Sequence, residues 1–186
     1  MSTGQVEQIK QSLKRGAAAL RDAGVPFMVG GGLASWARGG PESGHDVDFF
    51  VKPSDAERAW QALGDAGMRL ERPPEEWLRK AYDGDVLIDV IFKPSGVEIT
   101  DEVIEEAEDL EILAQRMKVL SLEDLMITKL SCLREHELDY DSQLEIARAL
   151  REQIDWNAVR KGAPDTPFTR AFFVLAEGLE LIPPGA

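Results

Sequence analysis

Residues 29–51 read VGGGLASWARGGPESGHDVDFFV, and this stretch decides the fold. Asp46 and Asp48 stand two apart in a run (Val47, Phe49, Phe50, Val51) that is otherwise apolar or aromatic. Positions two apart on a strand project from the same face. Two carboxylates side by side at a buried strand end repel each other and lose hydration. A cation between them relieves both costs, and Mg²⁺, hard and oxygen-seeking, is the natural candidate. Gly30, Gly31 and Gly32 lie just upstream, where backbone amides can hold phosphate. Phosphate and Mg²⁺ together point to phosphoryl or nucleotidyl chemistry.

Working outward, Val6, Ile9, Leu13, Ala17 and Leu20 recur at helical spacing and predict an opening amphipathic helix ended by Gly24. Residues 25–29 read as a first buried strand, the glycines as a tight turn, and residues 33–38 as a short helix. After the Asp-Val-Asp strand, Ser54 is the expected cap of a helix over 56–65, and a strand follows around 68–71. Asp83-Gly84-Asp85 is a hairpin turn signal between strands 77–82 and 86–92. Residues 100–109 read as a short acidic helix, and 110–120 are ambiguous between strand and loop. Ser121 opens a helix carrying Leu125, Ile127, Leu130 and Leu133, through a capping box with Asp124 in place of Glu or Gln. Further helices are expected over 141–152 and over 167–180, the last capped by Thr166 with Pro167 at its first position. The pattern predicts an α/β chain: a small mixed sheet flanked by helices over 1–98, then a mainly helical part over 99–186 packed on it.

Asp89 supplies a third carboxylate, within the apolar run 86–92 where an unpaired charge is costly. Lys80 or Lys93 could pair with it. A third metal-site carboxylate on a neighbouring strand explains Asp46, Asp48 and Asp89 with one cause and is preferred. Alone, an Asp-x-Asp is also found in sugar-nucleotide glycosyltransferases and in haloacid-dehalogenase-type phosphatases. The phosphatases place Thr or Ser two residues on, where this chain has Phe50, and they lack the preceding Gly-Gly turn.

The formal charge is −13 and unevenly spread. Residues 1–97 hold 12 basic and 14 acidic side chains, residues 98–186 hold 9 and 20, and 98–111 carry eight acids and no base. Such a surface keeps a protein soluble, or attracts a cationic substrate or basic partner. It repels a phosphate backbone, so nucleic acid is a disfavoured partner. No apolar run reaches the roughly 18–20 residues needed to cross a bilayer. The opening MSTGQVEQIKQSLKRG lacks the apolar core of a signal peptide, so the expected location is the cytoplasm. Cys132, in an apolar helical pattern, reads as a buried small hydrophobe.

Gly31-Gly32, Asp46-Val47-Asp48 and Asp89 together resemble the signature of the nucleotidyltransferase superfamily, with its polymerase-β-like fold. The signature is a Gly-Gly or Gly-Ser turn, an Asp-x-Asp about ten to fifteen residues on, and a later strand Asp. Residues 121–150 (SLEDLMITKLSCLREHELDYDSQLEIARAL) are similar to the helical segment of stand-alone bacterial members, including AbiEii-like and lincosamide-nucleotidyltransferase-like proteins. The resemblance covers most of residues 5–160. It implies an enzyme that transfers an NMP from an NTP to an acceptor hydroxyl, on a small molecule or on RNA or protein as in toxin-type relatives, with an antitoxin-like partner as a further expectation. It also implies two Mg²⁺ ions held by Asp46 and Asp48 with Asp89 completing one site, Asp89 placed to take the acceptor's proton, and Gly31 and Gly32 close to the phosphates.

Two positions depart from the family pattern. Gly32 stands where many active members have Ser, and Glu42 where many carry Arg. Ser35 or Ser43 is the candidate replacement hydroxyl and Arg38 the candidate replacement charge. These departures favour the alternative of a non-catalytic nucleotide- or partner-binding module, while the three aspartates favour the enzyme. Lys129 is either a solvated helix lysine or a triphosphate contact. Asp139 and Asp141 read as helix caps, with Asp141 alternatively an acceptor-side carboxylate, and His45 reads as a loop residue. Trp60, Trp77 and Trp156 are read as packing residues, and Trp36 as the foremost candidate for a nucleobase platform.

Overall fold

The computed structural model describes residues 3–41 and 46–185. Glu42, Ser43 and His45 lie outside the described residues. Seven strands form one mixed sheet: β1 (Met28–Val29), β2 (Asp46–Phe50), β3 (Arg69–Glu71), β4 (Leu78–Asp83), β5 (Val86–Ile91), β6 (Glu108–Ile112) and β7 (Gln115–Val119). Their spatial order is β3-β4-β5-β2-β1-β7-β6. The β2–β5 and β1–β7 pairs are parallel and the others antiparallel.

Alternation along the central strands separates two faces. Val47 and Phe49 of β2, Ile88 and Val90 of β5 and Ala81 of β4 are fully buried on one face. The helices α1 (Thr3–Asp22) and α3 (Ala56–Asp65) pack there. Gly16 lets α1 come close, since a Cβ at that position would stand 2.7 Å from the Phe49 ring. Phe49 in turn meets Phe27 edge-on, with centroids 5.2 Å apart. Ser12 of α1 donates to Asp83 at 2.9 Å and Arg15 pairs with the same carboxylate, fastening the helix to the β4–β5 turn.

The other face carries Asp46, Asp48 and Phe50 of β2 with Asp89 and Ile91 of β5. A short helix, α2 (Gly31–Trp36), leaves β1 beside it. Across this face lies α5 (Leu122–Ser131), opened by Ser121, whose Oγ accepts from the Asp124 N–H at 3.0 Å. Its buried Leu125, Met126 and Leu130 hold it in place. The helices α6 (Tyr140–Leu150), α7 (Trp156–Gly162) and α8 (Pro167–Gly178) pack against it. Among the described residues no helix is long and apolar enough to cross a membrane.

Several elements differ from the sequence expectation. Residues 108–119 form the β6–β7 hairpin and join the sheet edge beside β1, and the acidic helix shortens to α4 (Asp101–Glu106). The two turn residues, Leu113 and Ala114, have φ of 53° and 62°. Such a turn is ordinarily marked by Asn-Gly or Gly, and Leu-Ala carries no such mark. A 3₁₀ turn, Pro53–Asp55, runs into α3, so Asp55 rather than Ser54 takes the cap position, without a side-chain bond. The unforeseen α7 is capped by Asp155, which accepts from the N–H groups of Asn157 and Ala158. Cys132 is exposed, because it falls at the C-cap of α5 where the apolar stripe has turned away.

Left-handed backbone costs a residue with a Cβ about 1–2 kcal/mol, partly offset by the greater unfolded-chain freedom of glycine. Ala114→Gly should therefore stabilise the protein by about 0.5–1 kcal/mol, raising Tm by about 2–3 °C in a thermal melt. An unchanged or lower Tm would contradict a strained β6–β7 turn.

Candidate active site

The parallel pairing of β2 with β5 sets Asp48 opposite Asp89, and Asp46 projects from the same face one pleat earlier. One oxygen from each of the three carboxylates lies within 4.8 Å of the others. β4 adds Lys80 opposite Asp89, its Nζ donating to Oδ1 at 3.1 Å and lying 3.5 Å from Oδ2. Both sequence readings of Asp89 thus coexist: it pairs with Lys80 and it belongs to the carboxylate cluster.

The glycine turn comes very close to the cluster. The Gly30 N–H donates to the Asp48 carbonyl at 3.0 Å. Gly31 follows with φ of +55°, and a Cβ there would stand 1.7 Å from Asp48 Oδ2. Backbone conformation and space both demand glycine. Gly32 is the next residue of α2 and is partly buried.

Burial, followed by the charges of Asp46 and Asp89, pushes Asp48 up to about 8, against the pull of Lys129 and Lys80. Burial likewise raises Asp89, which is 9% exposed, and the Lys80 hydrogen bond opposes it. Three hard oxygen donors that repel one another at a common point suit a divalent cation, whose charge would remove that repulsion.

A cavity of about 160 Å³ opens beside Asp48. Gly31 and Lys129 line it at the carboxylate end, so the fold brings Asp48, Gly31 and Lys129 to one place. Ser35 is not among its lining residues: it is 1% exposed on α2, its Oγ unpartnered beneath Gly40. Arg38 is 7% exposed and engaged elsewhere, donating to the Ala34 carbonyl at 3.0 Å and to Glu108 at 3.2 Å. Asp141 is an exposed residue in the first turn of α6, and Asp139 caps that helix by accepting from the Ser142 N–H.

Two residues of the cavity wall have no place in the site as the sequence is read: Trp77, expected to be a packing residue, and Thr128. Trp77, 43% exposed, lines the cavity, whereas Trp36 packs half-buried on the core. Thr128, one position before Lys129, is also among its lining residues, with its hydroxyl buried. In the sequence Trp77 opens the expected strand 77–82, and only the fold brings Pro94 and α5 to the same cavity.

A family model described as "Uncharacterised nucleotidyltransferase" matches residues 3–179. No curated protein matches the chain. Among solved structures, the antibiotic-resistance factor ANT(2'')-Ia in solution is similar over 97% of this chain and 97% of its own, with 20% identity and a TM-score of 0.63. The same factor in complex with adenylyl-2''-tobramycin is similar over 89% of this chain and 97% of its own, with 17% identity and a TM-score of 0.62. JHP933 from Helicobacter pylori is similar over 85% of this chain and 72% of its own, with 13% identity and a TM-score of 0.56. At such identities the likeness establishes the fold.

Asp48 keeps its proton to about 8 in the fold, whereas an unfolded chain releases it near 4. Between those values the unfolded state binds fewer protons, so this group makes stability fall as pH rises and level off above the window. In chelator, Asp48→Asn should flatten that slope and raise Tm at pH 8 by an amount on the order of 5 °C. Parallel melts from pH 5 to 9 measure it, and a wild-type slope retained in the variant would refute the assignment.

Proposed function

The chain belongs to the uncharacterised nucleotidyltransferase family, within the nucleotidyltransferase superfamily, and from that premise we propose that it transfers a nucleoside monophosphate from an NTP to an acceptor hydroxyl with Mg²⁺. The observation that carries the reading is the convergence of Asp46, Asp48 and Asp89 within 4.8 Å at a cavity shared by Gly31 and Lys129. The three aspartates would hold the metal, which when bound supplies positive charge for the triphosphate and Lewis acidity at the reacting oxygens.

The chain's own residues do the rest. Gly31 and Gly32, without side chains, leave the backbone open to close approach by phosphate. Lys129 brings a positive charge to the same cavity, where it would face a bound triphosphate. Lys80 grips Asp89 and opposes the effect of burial, which favours the carboxylate over the carboxylic acid. Asp89 then accepts the proton of the acceptor hydroxyl. The hydroxyl oxygen bonds to the α-phosphorus, the bond from that phosphorus to the bridging oxygen breaks, and pyrophosphate leaves.

A cationic small molecule is the acceptor best suited to a chain of charge −13. The similarity to a structure holding adenylyl-2''-tobramycin makes aminoglycoside-like compounds the first acceptors to try.

Incubation with Mg²⁺ and each α-labelled NTP, with aminoglycosides, RNA or no added acceptor, tests the reaction. Label should pass to an acceptor with release of pyrophosphate, and Asp48→Asn or Asp89→Asn should slow it about 10³-fold. Binding of NTP without transfer to any acceptor class would favour a non-catalytic binding module. Absence of NTP binding at millimolar concentration would refute the proposal.

A further inference from the structure

The last helix, α8, is apolar on two sides. Phe172, Phe173 and Ala176 face the core and are buried. On the other side Ala171, Val174, Leu175 and Gly178 recur at helical spacing, with Val174 69% and Leu175 40% exposed. Leu179, at the C-cap, is 50% exposed. Leu138, also exposed, precedes Tyr140, whose hydroxyl donates to the Phe168 carbonyl of α8 at 3.0 Å. Four of the five exposed large hydrophobic side chains among the described residues therefore lie on α8 or on the segment tied to it. A surface helix ordinarily turns polar residues to water, and a helix apolar all round is a buried one. Such a contiguous apolar patch marks an interaction surface.

The pattern on this face is that of a surface meeting itself. In an antiparallel helix pair, residues equidistant from a common centre face each other. With the centre between positions 174 and 175, Val174 faces Leu175 of a second copy and Ala171 faces Gly178. The four residues form the corners of a hole, and the small ones at its two ends leave room for a large side chain of the other helix. Gly178 has no positive φ, and a Cβ there would meet nothing within 4 Å, so the chain's own packing does not demand glycine. The only charged residues of α8, Arg170 and Glu177, stand seven apart and share one flank. Antiparallel pairing carries Arg170 alongside Glu177 of the second copy, twice by symmetry, whereas parallel pairing sets like charge against like. Charges farther apart than about 8 Å are largely screened at physiological salt, so this flank counts for more at the contact than the distant acids of either chain. We propose that the outer face of α8 is a homodimer interface, in which two copies pack α8 against α8, antiparallel, about Val174 and Leu175. None of these residues lines the cavity beside Asp48, so the dimer stands or falls separately from the transfer reaction.

Sedimentation equilibrium of the full chain from about 1 to 500 µM measures the association, because a contact of one helix pair is small and its Kd is on the order of tens of micromolar. The average mass should rise from one chain toward two and no further. Val174→Glu should weaken association about 100-fold or more by setting two carboxylates together at the centre. Its Tm in dilute solution should match that of the wild type, since the side chain is exposed in the single chain. Arg170→Glu should weaken association about 10-fold. In a Cys132→Ser background, a short thiol cross-linker should join Ala171→Cys chains to Gly178→Cys chains in preference to joining either kind to itself. A single-chain mass at every concentration would overturn the proposal, and so would a dimer that Val174→Glu leaves intact. Preferential cross-linking of like positions would set the helices parallel and overturn it equally.

Discussion

The repulsion among three carboxylates is the constraint around which this molecule is arranged. Parallel pairing of β2 with β5 sets Asp48 beside Asp89, and the pleat adds Asp46 to the same face. Left alone, such a cluster resists burial, and here burial and its neighbours hold Asp48 at about 8. Two lysines from other elements offset part of the cost: Lys80 across the β4–β5 ladder and Lys129 from α5. A hydrophobic side chain at any of these positions would have stabilised the sheet more cheaply. A divalent cation at this point would remove that cost, which is why the cluster supports the proposed metal site.

α5 links that site to the second half of the chain. Its apolar residues bind it to the sheet side and to α6, α7 and α8, and Lys129 and Thr128 ride on it toward the cavity. The acidic segment 98–111 is partly neutralised by its own surroundings. Lys118 donates to the carbonyls of Glu105 and Ala107 and pairs with Asp109, and Lys52 pairs with Asp101. Part of the negative charge is therefore spent on local structure.

Legibility followed the range of the physics involved. The opening helix, the Asp-Val-Asp strand, the Asp83–Asp85 hairpin and the caps at Ser121 and Thr166 are written in residues a few positions apart, and the structure contains each of them. The β6–β7 hairpin was obscured because Leu113 and Ala114 hold a left-handed turn that neither prefers, supported by pairing with β1. Cys132 was misplaced because helical periodicity does not say where the helix stops. Trp77 lies 43% exposed on the cavity wall while Trp36 packs half-buried on the core, because an aromatic residue's exposure depends on what the rest of the chain leaves uncovered.

By itself the sequence determined the alternation of elements, the glycine at position 31 and the three aspartates, and through them the family. Periodicity, turn chemistry and the cost of charge in an apolar run act locally and are readable from one chain. Tertiary structure alone decided that Asp48 faces Asp89, that Lys80 and Lys129 reach the same cluster, that Ser35 and Arg38 do not, and that Trp77 and Thr128 share a cavity. Those outcomes rest on strand register and helix packing between residues tens of positions apart, where no local preference acts and only the closing of the whole core selects one arrangement.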